Sequence, residues 1–182
     1  LSHVKPVDDW DKERGRLYRV RPTGEAPKLK PFDLHSCPPA ELLGYLGHRN
    51  VWFRKQAVLE IGWRNLQELA PELRQKLTGA NALEALWALD ALGQAKDVPI
   101  EHADPYVRRW SVKVVGERGD APDAALLKLA KTETQIEVCA QMLASAKRIP
   151  ESLPLLWAGV NQVDDASGHI PLLAWWTLEA KA

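Results

Sequence analysis

The chain has 182 residues and a formal charge of zero, and no apolar run is long enough to cross a bilayer. Its 24 basic and 24 acidic side chains provide no overall attraction to nucleic acid or to anionic lipid. The length suits one domain, and an apolar content of 46% is typical of a folded core. Because the sequence opens without Met and in mid-phrase, we expect a piece of a longer protein.

The first 36 residues differ from the rest of the chain. In residues 16–21 the side chains of 17, 19 and 21 alternate with those of 16, 18 and 20, and the segment is bounded by Gly15 and Pro22, which predicts one short strand. A single strand needs a partner, so it either folds back to cap the first helices or pairs with another copy. We interpret residues 1–36 as the remnant of a preceding domain and a linker.

A repeated helical phrase organises residues 37–182. Asp104 is a candidate N-cap, Pro105 suits the first helical position, and Gly116 with Gly119 is expected to end the helix. The same phrase begins earlier at Asn50, with matching residue types in register over residues 50–62. A phrase repeated within one chain is typical of a repeat architecture.

Five such second helices recur at intervals of roughly 23 to 34 residues. Each carries a small residue at its centre, which favours close helix packing and should therefore be buried. These residues are Ala57, Ala88, Ser111, Ala140 and Ala174. The pattern predicts an all-α fold, an α-α superhelix of the HEAT type with about five helix pairs, in which residues 94–101 have lost a first helix.

No motif in the chain carries recognisable chemistry, so no catalytic, cofactor-binding or metal-binding residue is predicted. His48 and His102 precede the two best caps, and the simplest interpretation is that each orders its turn by hydrogen bonding. Cys37 and Cys139 are either two isolated, buried thiols or a disulfide.

Tryptophans and arginines on the second helices are the candidate partner-binding residues. An aromatic patch with neighbouring guanidinium groups is typical of protein interfaces. The alternative is that the tryptophans pack in the core and the arginines hold turns between repeats. The candidates are Trp52, Arg54, Trp87, Arg108, Arg109 and Trp110.

The order of several phrases resembles one family over nearly the whole chain. The phrases are Gly15–Val20, Phe32–Leu34, His48–Arg54, Ala85–Leu89, Asp104–Arg108 and His169–Glu179. They are similar to the HEAT module of large exported proteins of planctomycetes and verrucomicrobia, described as membrane-bound dehydrogenases or haem-binding proteins. In that family the module lies between a β-propeller and a cytochrome c domain.

The resemblance implies a non-catalytic scaffold or protein-interaction module, in an exported or periplasmic protein, whose partners are flanking domains or another subunit. None of the catalytic or haem-binding residues of the neighbouring domains has a counterpart here. The alternative is a nucleic-acid-binding HEAT protein of the base-excision type, which needs a basic concave face with an exposed aromatic residue and a carboxylate. The zero net charge favours the scaffold, without nucleic acid and without membrane insertion.

Overall fold

The computed structural model describes residues 23–24, 32–161 and 169–182, and within these ranges all regular structure is helical. The all-α prediction is confirmed there, whereas the predicted strand at residues 16–21 lies outside the described residues. The helices are α1 (Pro39–Tyr45), α2 (Val51–Trp63), α3 (Ala70–Lys76), α4 (Ala82–Ala91), α5 (Pro105–Arg118), α6 (Ala124–Thr132), α7 (Ile136–Ala146), α8 (Leu153–Asn161) and α9 (His169–Glu179).

The five predicted second helices, α2, α4, α5, α7 and α9, contact one another in chain order, and we call them the second-helix row. Helices α1, α3 and α8 pack against α2, α4 and α7, respectively. Residues 94–101 contain no helix, as predicted, but Ala95 and Ile100 are buried, Ala95 in the core cluster of α1 to α4 and Ile100 in that of α5 to α8. All these helices belong to one compact unit, Asp33–Ala182.

The predicted caps form at the two best copies of the phrase. The side chain of Asn50 accepts a hydrogen bond from the backbone N–H of Trp52, and that of Asp104 accepts one from Tyr106. Each satisfies a donor that the helix itself leaves unpaired. At the weaker copy, Asn81 occupies the cap position but makes no capping bond with its side chain.

Gly116 does not end its helix, contrary to the sequence prediction. Helix α5 continues to Arg118 and ends at Gly119, whose φ of 70° is the left-handed conformation that favours glycine. Gly116 is instead a point of close helix approach, because a Cβ there would lie 2.5 Å from the Cβ of Ser145. Gly62 has the same role, since its Cβ would lie 2.9 Å from the Cβ of Ala91.

The small central residues are buried in four of the five second helices, and the assignment of Ala140 was wrong. Ala140 is partly exposed, whereas the adjacent Cys139 and Met142 are buried. Matching the N-caps, Asp104 of α5 and Gln135 of α7, places Met142 rather than Ala140 at the position of Ser111. The sequence alignment of the two phrases was therefore two residues out of register.

Candidate interaction surface

The start of α2 is held by a cluster of polar contacts that we call the first clamp: His48, Asn50, Arg54 and Glu84. The backbone N–H of Asn50 donates to Nδ1 of His48 over 3.1 Å. Arg54 donates from Nη1 to the carbonyl of His48 over 2.9 Å and from Nε to Glu84 over 2.7 Å. Because Glu84 belongs to α4, the clamp ties the turn before α2 to the next second helix.

The second clamp repeats this arrangement at the start of α5, with His102, Asp104, Arg108 and Glu133. The N–H of Asp104 donates to Nδ1 of His102 over 3.0 Å, and Arg108 donates to the carbonyl of His102 over 2.9 Å. Two further bonds, of 2.6 and 3.0 Å, join Arg108 to both carboxylate oxygens of Glu133. Such two-point pairing fixes the orientation of both side chains. In both clamps the histidine orders the turn, as its simplest interpretation predicted.

Opposing effects act on the pKa of Glu133. Burial raises the pKa, but hydrogen bonds from Arg108 and from the backbone N–H groups of Gln135 and Thr134 hold it below its ordinary value of 4.5. Glu133 therefore stays charged and is a poor proton acceptor. It also lines a polar cleft of about 360 Å³ beside Lys128.

We expect the second clamp to make stability depend on pH. Because folding lowers the pKa of Glu133, its contribution is complete above pH 4.5 and is lost as the pH falls through the lowered value. Urea unfolding between pH about 6 and about 3 measures this, and Glu133→Gln should flatten the dependence. An unchanged slope in Glu133→Gln would show that the carboxylate does not carry the effect.

The remaining side chains that could act as a nucleophile or bind a metal are the two cysteines and the His, Asp and Glu side chains, and their surroundings fit a structural role. Cys37 and Cys139 are free thiols, and burial with the nearby Glu133 raises the pKa of Cys139 to about 11. A thiol with such a pKa stays protonated at neutral pH. Among the described residues, no three His, Cys, Asp or Glu side chains come together in a group that could hold a metal ion.

Aromatic and aliphatic side chains lie on the solvent side of the second-helix row. On α2, Trp52, Leu59 and Trp63 are exposed on the side opposite the buried Ala57 and Ile61, at the spacing of one helix face. Trp63 is 69% exposed. We call this surface, together with its continuation on α4 and α5, the aromatic face: Trp52, Leu59, Trp63, Trp87, Tyr106 and Trp110.

The aromatic face uses equivalent positions of the repeated phrase. Trp52 stands two residues after the N-cap of α2, and Tyr106 stands two residues after the N-cap of α5. Between them, Trp87 of α4 and Trp110 of α5 meet edge to face, with ring centroids 5.2 Å apart. Nζ of Lys113 lies 4.5 Å from the centroid of the Trp110 ring.

The structure places the six sequence candidates in different environments. Trp52 is exposed on the aromatic face, whereas Trp87 and Trp110 are half-buried and also pack against the core cluster, as the core alternative predicted. Arg54 and Arg108 are committed to the two clamps, so they shape the fold beside this face. Arg109 is exposed on α5. The three tryptophans thus share one side of the row, but only Trp87 and Trp110 of the three are in ring contact with each other.

Sequence reasoning missed Leu59, Trp63 and Tyr106. Their signal was present, because Trp52, Leu59 and Trp63 follow the i, i+7, i+11 spacing of a single helix face. It was hidden because the buried stripe of α2, with Ala57 and Ile61, has the same period. Composition alone does not tell which of two apolar stripes faces the neighbouring helices.

The charges along the solvent side of the row are nearly balanced. Lys55, Arg109, Lys113 and Arg148 are positive, and Asp90, Glu117 and Glu137 are negative. Lys113 and Glu117 also pair with each other over 2.8 Å. A groove that follows a phosphate backbone needs a surplus of positive charge. Over the described helices this side therefore offers apolar contact rather than an electrostatic track.

No helix in the described part of the chain is both long and apolar enough to span a membrane. No protein-family model, no curated protein and no solved structure matches this chain. The aromatic face and the clamps are therefore interpreted from their geometry alone.

Proposed function

We propose that this chain is a non-catalytic helical scaffold that binds a partner protein through the aromatic face. The observation that carries the proposal is the row of exposed Trp52, Leu59 and Trp63 on α2 with exposed Tyr106 on α5. Tryptophan and tyrosine are the residues most enriched at the energetic centres of protein interfaces. A rigid helix surface also loses little conformational entropy when it binds.

We further propose that the helix pairs form a HEAT-type superhelix and that the chain is the HEAT module of the propeller and cytochrome family it resembles. Contacts between successive second helices support the first statement, and the order of the sequence phrases supports the second. In that setting the partner is a flanking domain or another subunit of an exported protein. The scaffold would hold its neighbours in a fixed relative orientation.

A site-specific crosslinker tests whether the aromatic face meets a protein. We expect benzoylphenylalanine in place of Gln56, which lies on the solvent side of α2 among Trp52, Leu59 and Trp63, to trap one main partner in the native cells. The partner, identified by mass spectrometry and purified, should bind the chain in calorimetric titration, and Trp63→Ser should weaken binding at least tenfold, about 1.4 kcal/mol.

The matched control carries the same crosslinker in place of Gln75, which is exposed on α3. We expect little trapping there, since α3 is outside the second-helix row. Equal trapping at both positions, or full affinity in Trp63→Ser, would contradict the proposal. Salt-sensitive binding of duplex DNA tighter than micromolar would instead favour the nucleic-acid alternative.

A further inference from the structure

The last helix pair presents a second apolar surface, separate from the aromatic face. Trp175 and Leu178 of α9 are exposed, as are Leu153 and Trp157 of α8. A cleft of about 250 Å³ between the two helices is lined almost entirely by apolar side chains. We call Leu153, Trp157, Trp175 and Leu178 the terminal face. Its aromatic and aliphatic content is high for a surface left to water.

Helix α9 packs on α7 as α7 packs on α5. Oγ of Ser145 in α7 donates to the carbonyl of Val112 in α5, and Oγ1 of Thr177 in α9 donates to the carbonyl of Leu143 in α7. The residues that face the preceding helix are buried at corresponding positions of α7 and α9. These pairs are Val138 and Ile170, Met142 and Ala174, and Ser145 and Thr177.

The same correspondence reveals what the terminal face lacks. Leu143 of α7 is 0% exposed, but its counterpart on α9, Trp175, is 63% exposed. Ala146 of α7 is also 0% exposed, whereas its counterpart Leu178 is 46% exposed. In α7 these positions are covered because α8 and α9 pack over them. The terminal face thus continues an interface that is already formed twice along the second-helix row.

We propose that the terminal face docks a further pair of antiparallel amphipathic helices, stacked on α8 and α9 as these stack on α6 and α7. The contacts that α8 and α9 make with α7 indicate which residues the occupant should carry. Gly159 permits close approach, since a Cβ there would lie 2.7 Å from Cγ of Leu143. On α9, the buried hydroxyl of Thr177 donates to the carbonyl of Leu143 in α7. The incoming pair should likewise carry a small residue on its first helix and a hydroxyl on its second.

A second copy of the chain is a poorer occupant. In a head-to-tail stack it would present α1 and α2, where the segment before α1 is already fastened to α2. Nδ1 of His35 lies 2.9 Å from a carboxylate oxygen of Glu60, and Arg64 donates to the carbonyl of Cys37 over 2.7 Å. Leu34 is buried in the same core cluster. The segment before α1 thus already occupies part of the surface that a second copy would present.

A fluorescein-labelled synthetic peptide of residues 150–182 provides the test, because this is a helix pair already seen to dock on a face of this type. We expect saturable binding to the full chain by fluorescence anisotropy. Trp175→Lys and Leu178→Lys in the chain should each weaken binding at least tenfold. Both side chains are exposed, so neither substitution should lower the thermal midpoint by more than a few degrees.

Trp63→Lys is the matched control, because it places the same charge on an equally exposed tryptophan of the aromatic face. We expect it to bind the peptide like the parent chain. Absent saturable binding, or unchanged binding in both terminal-face variants, would overturn the proposal. So would sedimentation of the chain alone as a dimer that Trp175→Lys converts to a monomer, since a second copy would then be the occupant.

Discussion

Replacing Gly116 by alanine is expected to destabilise the protein by about 2 kcal/mol, because overpacking a close helix contact typically costs 1–3 kcal/mol. The new Cβ would lie 2.5 Å from both Cβ and Oγ of Ser145 and 3.0 Å from its Cα. The backbone of α7 therefore has to move, and the bond from Ser145 to the carbonyl of Val112 is strained. The better helix propensity of alanine, about 1 kcal/mol, offsets only part of this.

Gly44→Ala is the matched control, since Gly44 lies in α1 and a Cβ added there would have no atom within 4 Å. There we expect alanine to stabilise the protein by about 0.5–1 kcal/mol. Urea unfolding of the two variants measures both effects. If Gly116→Ala is also stabilising, α5 and α7 do not approach as closely as described.

Replacing Glu133 by alanine is expected to cost roughly 3 kcal/mol, the loss typical when one partner of a buried ion pair is removed. The side chains of Arg108 and Glu133 are 14% and 3% exposed, so little water can replace the lost carboxylate. Arg108 would keep its bonds to the carbonyls of His102 and Ala103 but would lose its counterion. Thermal and urea unfolding measure the change.

Glu101→Ala is the control, because Glu101 pairs with Lys128 through side chains that are 57% and 70% exposed. An exposed pair contributes under about 1 kcal/mol, so this variant should unfold almost like the parent. If both variants lose the same free energy of unfolding, burial does not strengthen the ion pair of the second clamp. A larger loss in Glu133→Ala, together with a flattened pH dependence in Glu133→Gln, is the expected outcome.

The helices were predictable because their signals are local. Asn50 and Asp104 cap through neighbouring backbone atoms, and the missing helix at 94–101 followed from the short spacing there. The role of Gly116 and the exposure of Ala140 were not predictable in this way. Both depend on how closely α5 and α7 approach and on where α7 begins, which tertiary packing decides.

The candidate surface was predictable only in part. The tryptophans were noticeable because Trp is rare, and Trp52, Trp87 and Trp110 do share one side of the second-helix row. The sequence did not separate them from the core, since an exposed and a buried apolar stripe have the same period. Arg54 and Arg108 have the residue type of binding residues, but their acceptors are Glu84 of α4 and Glu133 in the turn between α6 and α7.

The apolar core is divided into separate clusters, and this should govern how the protein loses its structure. One cluster centres on α1 to α4, a second on α5 to α8, and a small third cluster joins α7, α8 and α9 through Leu143, Leu156 and Ile170. Neighbour-only contacts let each part open without the others. Amide hydrogens of α9 should therefore exchange through a partial opening of lower free energy, while those of α2 and α4 stay protected until the rest of the chain unfolds.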